Sequence, residues 1–189
     1  QEQDLFKKLI NWPTELKFDD GSSKYNLFRD ASIVDVNGDG YHDLIAGFGY
    51  ADAPSMVFIN DEGEFTENNK IDLPTSKYGL ENQLHSITLD ADFDHDGSED
   101  LAILYTQKEG YYAGNYLQIL LNDGLGNYSD VTDLIPADAY KYAYLTRLNW
   151  HSPWQLIDMN NDNHIDIAGG IAKDNICLLY TSPSPRDVL

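Results

Sequence analysis

Apolar residues in this chain gather in short runs that contain Gly and β-branched side chains: DLIAGFGY at 43–50, DLAILYTQ at 100–107 and DIAGGIA at 166–172. Runs of this length and composition read as β-strands. Two further stretches, VFINDEGEF at 57–65 and LQILLNDGLGNY at 117–128, end in a tight Asn/Asp/Gly turn, the signature of a β-hairpin. In order, the pattern predicts units of four antiparallel strands. The first strands are Ala31–Val34, Ser86–Ala91 and Trp154–Ile157. The runs quoted above follow as second strands. Third strands are expected at Met56–Asn60 and Tyr116–Asn122, and outer fourth strands at Glu64–Asn68 and Tyr128–Thr132. Asp4–Ile10 reads as a short helical or capping segment ahead of them.

The same polar stretch joins first to second strand in each unit: DVNGDGYHDL from Asp35, DFDHDGSEDL from Asp92 and DMNNDNHIDI from Asp158. Positions 1, 3, 5 and 9 are Asp35, Asn37, Asp39 and Asp43 in the first copy. They are Asp92, Asp94, Asp96 and Asp100 in the second, and Asp158, Asn160, Asp162 and Asp166 in the third. Alternate oxygen side chains on a sharply turning backbone converge on one point, which is how a hard cation such as Ca2+ collects its oxygens. Unbound, so many carboxylates would repel one another. Position 6 must turn with positive φ, and it is Gly40, Gly97 or Asn163, residue types that tolerate that conformation. Position 7 (Tyr41, Ser98, His164) varies in type, as suits a ligand that offers its backbone carbonyl. One Ca2+ per loop, three in all, is expected. The second loop should bind most tightly, because it has four carboxylates where the others have three and an Asn. An EF-hand would need a Glu at position 12 and flanking helices. Position 12 is Ala46, Ile103 or Gly169, and strands follow, so the EF-hand is excluded.

A second landmark recurs between the loops. INWPT, IDLPT and LIPA place Pro13, Pro74 and Pro136 at spacings of 61 and 62 residues, while the loop starts are 57 and 66 apart. Both give a repeat of about 60 residues. Four antiparallel strands at that period describe a β-propeller blade. A loop that closes at position 9 and runs straight into a strand resembles the FG-GAP/VCBS repeat, the calcium-loop blade of integrin-α-type propellers. The fold expected is all-β, a partial β-propeller with DxDxDGxxD calcium loops. Its segments are a lead-in at 1–30, a first blade at 31–75, a second at 76–137, a third truncated after its second strand at 138–176, and a tail at 177–189. That tail, CLLYTSPSPRDVL, breaks the repeat and resembles translated adapter sequence, so it reads as non-native. Cys177, the one cysteine, then has no bearing on disulfides, and the natural ring would continue beyond residue 176.

Charge narrows the function. The formal net charge is −20 with 12 scattered Lys and Arg, which argues against nucleic acid or an anionic membrane surface. No apolar run is long enough to span a bilayer. His42, His95 and His164 fall at unrelated loop positions and read as solvated. His85 and His151 each lie seven residues before a loop and precede a Ser, equivalent places on inner strands that repeat symmetry alone explains, with the central channel such strands line as a candidate ligand site. No HExxH, GxSxG, GxGxxG or Walker sequence is present. The resemblance implies a non-enzymatic, extracellular or cell-surface module with structural Ca2+, which holds a protein or carbohydrate ligand in adhesion and packs against the remaining blades of a longer chain. The alternative is a scaffold or accessory domain of a secreted polysaccharide lyase or hydrolase.

Overall fold

The structure, a computed structural model, describes residues 28–48, 54–77, 79, 84–106, 116–135, 154–171 and 176–180. Among them there are eleven strands and no α-helix. The first sheet runs β1 (Phe28–Val34), β2 (Asp43–Phe48), β3 (Met56–Asp61) and β4 (Glu64–Asp72), hydrogen-bonded in chain order and antiparallel throughout. The second repeats that order with β5 (Leu84–Ala91), β6 (Asp100–Thr106), β7 (Tyr116–Asn122) and β8 (Tyr128–Asp130). In the third, β10 (Asp166–Ile171) lies between β9 (Trp154–Ile157) and β11 (Ile176–Tyr180). Up-and-down sheets of this kind, each with an acidic loop between its first and second strands, are the blades of a partial β-propeller.

The blades pack face to face, and strand alternation decides which residues meet. Leu101, Ile103 and Tyr105 of β6 share a core with Val34, Ile45, Val57 and Ile59 of the first sheet. The intervening Ala102 and Leu104 join Ile119 and, from the third sheet, Ile167, with Trp154 and Leu156 packed against them. The middle blade is covered on both faces, so every residue of β6 is buried. This explains why DLAILYT reads as an unbroken apolar run and not an alternating one. The segment after β4 is tied in as well: Leu73 N donates to Ser55 O (2.8 Å), and the Pro74 carbonyl accepts from Gln118 Nε2 (3.0 Å).

Several expected boundaries move. β1 and β5 begin earlier than Ala31 and Ser86, and β4 extends to Asp72. β8 stops at Asp130, short of Thr132, because side chains take over the ladder there. Asp130 Oδ1 accepts from Thr132 N (2.9 Å), Thr132 Oγ1 accepts from Ile119 N (3.0 Å), and a 3-10 turn follows at Thr132–Leu134. The third sheet does not end with its second strand: Ile171 pairs with Ile176 and Ile167 with Tyr180. Chain from Cys177 onward, expected to lie outside the fold, therefore supplies most of β11, an apolar stretch suited to a strand. The expected helix at Asp4–Ile10, Pro13, Pro136 and His151 lie outside the described residues.

Candidate metal centre

Each acidic loop is shaped by its own side chains, and the same bonds recur in all three. The carboxylate at position 1 accepts from the amides of positions 5 and 6. Asp35 takes those of Asp39 (3.1 Å) and Gly40 (2.9 Å), Asp92 those of Asp96 (3.0 Å) and Gly97 (3.1 Å), and Asp158 those of Asp162 (3.2 Å) and Asn163 (2.9 Å). The position 3 oxygen of Asn37, Asp94 or Asn160 accepts from the position 5 amide at 3.1, 3.1 and 2.9 Å. Oδ1 of position 5 accepts from the amides of Tyr41, Ser98 and His164 at 2.8, 2.7 and 2.9 Å. Backbone amides thus aim successive carboxyl groups into the loop. The turn needs left-handed backbone at position 6, with φ of +87° at Gly40, +93° at Gly97 and +71° at Asn163, as expected. Position 4 needs it as well (Gly38, His95, Asn161), which the sequence pattern alone did not indicate.

Position 9 has a second task. Asp43, Asp100 and Asp166 are fully buried. One oxygen of each accepts from the position 2 amide: Val36 at 2.9 Å, Phe93 at 2.8 Å, Met159 at 2.8 Å. In the first two blades the other oxygen accepts from the amide of the Asn near the end of the third strand, Asn60 or Asn122, both at 2.8 Å. That Asn also donates through Nδ2 to the position 8 carbonyl, His42 O at 2.9 Å or Glu99 O at 3.2 Å. Asn60 and Asn122 are thus site residues, although in the sequence they read only as part of a turn. The signal was present as the repeated Asn-Asp at the close of the third strand in the first two blades.

Electrostatics separate the loops. In the first and third, the position 3 Asn donates Nδ2 to Oδ2 of position 5, Asn37 to Asp39 at 2.9 Å and Asn160 to Asp162 at 3.0 Å. Asp94, a carboxylate, has no such amide to give. Instead Asp92, Asp94 and Asp100 bring one oxygen each within 4.8 Å of one another, the one group of three His, Cys, Asp or Glu side chains so gathered among the described residues. Asp96 stands outside that group. Burial pushes the Asp100 carboxyl up to about 6; the Asn122 and Phe93 amides pull against that, while the charges on Asp94 and Asp96 add to it. Asp43 is raised for the same reasons, burial first. Burial also raises the Tyr128 phenol, with the charges of Asp43, Asp100 and Asp90 adding to it. A set of hard oxygens with unrelieved negative charge fits a Ca2+-like cation and does not suit a soft metal.

The histidines make contacts that their spacing did not show. His95 Nε2 and His164 Nδ1, in loops expected to be solvated, meet at 3.0 Å in an exposed contact across the second and third loops. His85 is fully buried. Its Nδ1 bonds Ser55 Oγ (2.7 Å), its Nε2 bonds Thr88 Oγ1 (2.7 Å), and Asp30 Oδ2 is 3.5 Å from Nε2. Buried His85 and Ser55, with partly exposed Asp30 beside them, tie the first two blades together.

Repeated antiparallel blades, each opening on an oxygen-rich loop, define the class: an all-β repeat protein of propeller type. Residues 35–103, from position 1 of one acidic loop through the next loop and into β6, match the FG-GAP-like repeat. Over that stretch the chain is similar to FG-GAP/VCBS-type repeat proteins. No curated protein and no solved structure matches it significantly.

Proposed function

We propose that the three loops bind Ca2+ as a structural ion, and that the blades so stiffened form a recognition module working outside the cell on a protein or carbohydrate ligand. The observation that carries the metal reading is the convergence of Asp92, Asp94 and Asp100 on one point, with Asp100 buried. A buried carboxylate beside two more is costly until a cation neutralises it, so ion binding becomes folding free energy. The extracellular assignment follows from the repeat type and from the millimolar calcium available there to modules of modest affinity. It accords with the strongly acidic composition and with the lack of any helix, among the described residues, long and apolar enough to cross a membrane. The blades supply a rigid frame, and recognition belongs to surfaces on it.

Calorimetric titration of the chain with Ca2+ tests the metal reading. Binding should be accompanied by a rise in melting temperature that EGTA reverses, and Asp94→Ala should abolish the tightest phase. A melting curve indifferent to both Ca2+ and EGTA would end this reading. A glycan array probed with the Ca2+-loaded chain tests the carbohydrate side of the ligand reading.

A further inference from the structure

Asn122 is the last residue of β7, and it is almost completely buried between the first and second acidic loops. Its amide holds Asp100 Oδ1, and its Oδ1 accepts from Gly124 N and Gly126 N, both at 3.2 Å. Nδ2 is shared: one bond goes to Glu99 O at 3.2 Å in the second loop, the other to Val36 O at 2.8 Å in the first. The peptide fixed by that second bond carries Asn37, the position 3 ligand of the first loop. Asn60, the equivalent residue one blade earlier, uses Nδ2 on His42 O of its own loop. One side chain therefore grips ligand-bearing backbone in two neighbouring loops.

We propose that Asn122 couples cation binding at these two loops, so that filling either raises the affinity of the other. This rests on the calcium reading above. An ion in the second loop orders Glu99 and Asp100, and through them both ends of Asn122. The immobilised Nδ2 then holds the Val36–Asn37 peptide in its ligand-presenting position, so the first loop has less freedom left to lose when its own ion arrives. Linkage makes the effect reciprocal.

The test is hydrogen exchange of residues 35–43, read by mass spectrometry while the full chain is titrated with Ca2+. Disabling the second loop with Asp94→Ala should move the midpoint for protecting the first loop to at least about five-fold higher Ca2+, a coupling of ordinary size. In Asn122→Ala, or in Asn122→Asp, which keeps the acceptor for the two glycine amides, the midpoint should no longer depend on the second loop. Asn60→Ala should weaken the first loop yet leave that dependence intact. A first-loop midpoint unmoved by Asp94→Ala in the chain that retains Asn122 overturns the coupling while leaving calcium binding in place. If Asn122→Asp binds Ca2+ and keeps the dependence, Asn122 is not its carrier. No Ca2+-dependent protection in any loop overturns the calcium reading itself, and the coupling with it.

Discussion

Gly47 of β2 packs directly on the ring of His85 in the next blade: a Cβ at residue 47 would lie 2.3 Å from His85 Cγ and 2.4 Å from Cδ2. The ring has little freedom to retreat. Both nitrogens are bonded, to Ser55 Oγ and Thr88 Oγ1, and the ring meets Tyr105 edge-on at 5.4 Å. Gly47→Ala should therefore destabilise the chain by about 1–3 kcal/mol, the usual cost of overpacking a closed site. Urea unfolding measures it. A loss below ~0.5 kcal/mol would mean that the two blades can separate without penalty.

Gly97→Ala tests a different cause. No atom lies within 4 Å of the added methyl, but φ is +93°, so the cost is conformational, about 1–2 kcal/mol. Gly97 N also donates to Asp92 Oδ2, so the twisted backbone would misplace a ligand. Thermal melts with Ca2+ and with EGTA should both drop, and the calcium-loaded chain should lose more. Gly97→Asn should be milder, since Asn163 occupies the same position of the third loop at φ +71°.

The blades and the loops were legible because both depend on local, repeated chemistry. Oxygen side chains at alternate positions, Gly or Asn where φ turns positive, and apolar runs behind them are visible in one dimension. What stayed hidden was where residues distant in sequence meet. Asn122 and Val36 are 86 residues apart, and their bond depends on how one blade seats against the next. His85 was placed on an inner strand, but whether such a strand's side chain faces a channel or the neighbouring sheet depends on that same seating. β8 ended early because Asp130 and Thr132 could bond the backbone as readily as the ladder could, a local competition that propensity does not decide.

Without divalent cations, acidification should stabilise this fold. The Asp100 carboxyl titrates in the folded chain near 6, held up chiefly by burial, against an ordinary 3.8. A folded value above the unfolded one means that the native state binds the proton more tightly. Its contribution is complete below about pH 4 and is lost as pH rises through 6, at a cost on the order of 1–3 kcal/mol. Asp43 is shifted in the same direction. Asp30 runs the other way: burial would raise it, but the His85 and Thr88 contacts outweigh burial, so its contribution is lost only as pH falls below the ordinary carboxylate range. Melting temperature in EGTA should fall between about pH 4 and 6, limits set by those two values for Asp100. Saturating Ca2+, which favours the ionised carboxylate, should flatten that slope. A slope in EGTA that survives Asp100→Asn unchanged would assign it to other groups.

Asn37→Asp should make the first loop behave like the second. In the native chain Asn37 Nδ2 bonds Asp39 Oδ2 at 2.9 Å, so a side-chain amide already relieves part of the charge that a cation would otherwise relieve. Replacing it with a carboxylate removes that donor and sets a third negative group beside Asp35 and Asp39. The metal-free chain should lose about 1 kcal/mol, one hydrogen bond's net contribution plus added repulsion. Calcium affinity at this loop should rise roughly ten-fold or more, because both the ligand charge and the repulsion relieved on binding increase. Melts in EGTA measure the first effect and calorimetry the second. Opposite signs are the diagnostic outcome: a variant destabilised without calcium and no tighter with it would show that position 3 supports the turn without reaching the ion.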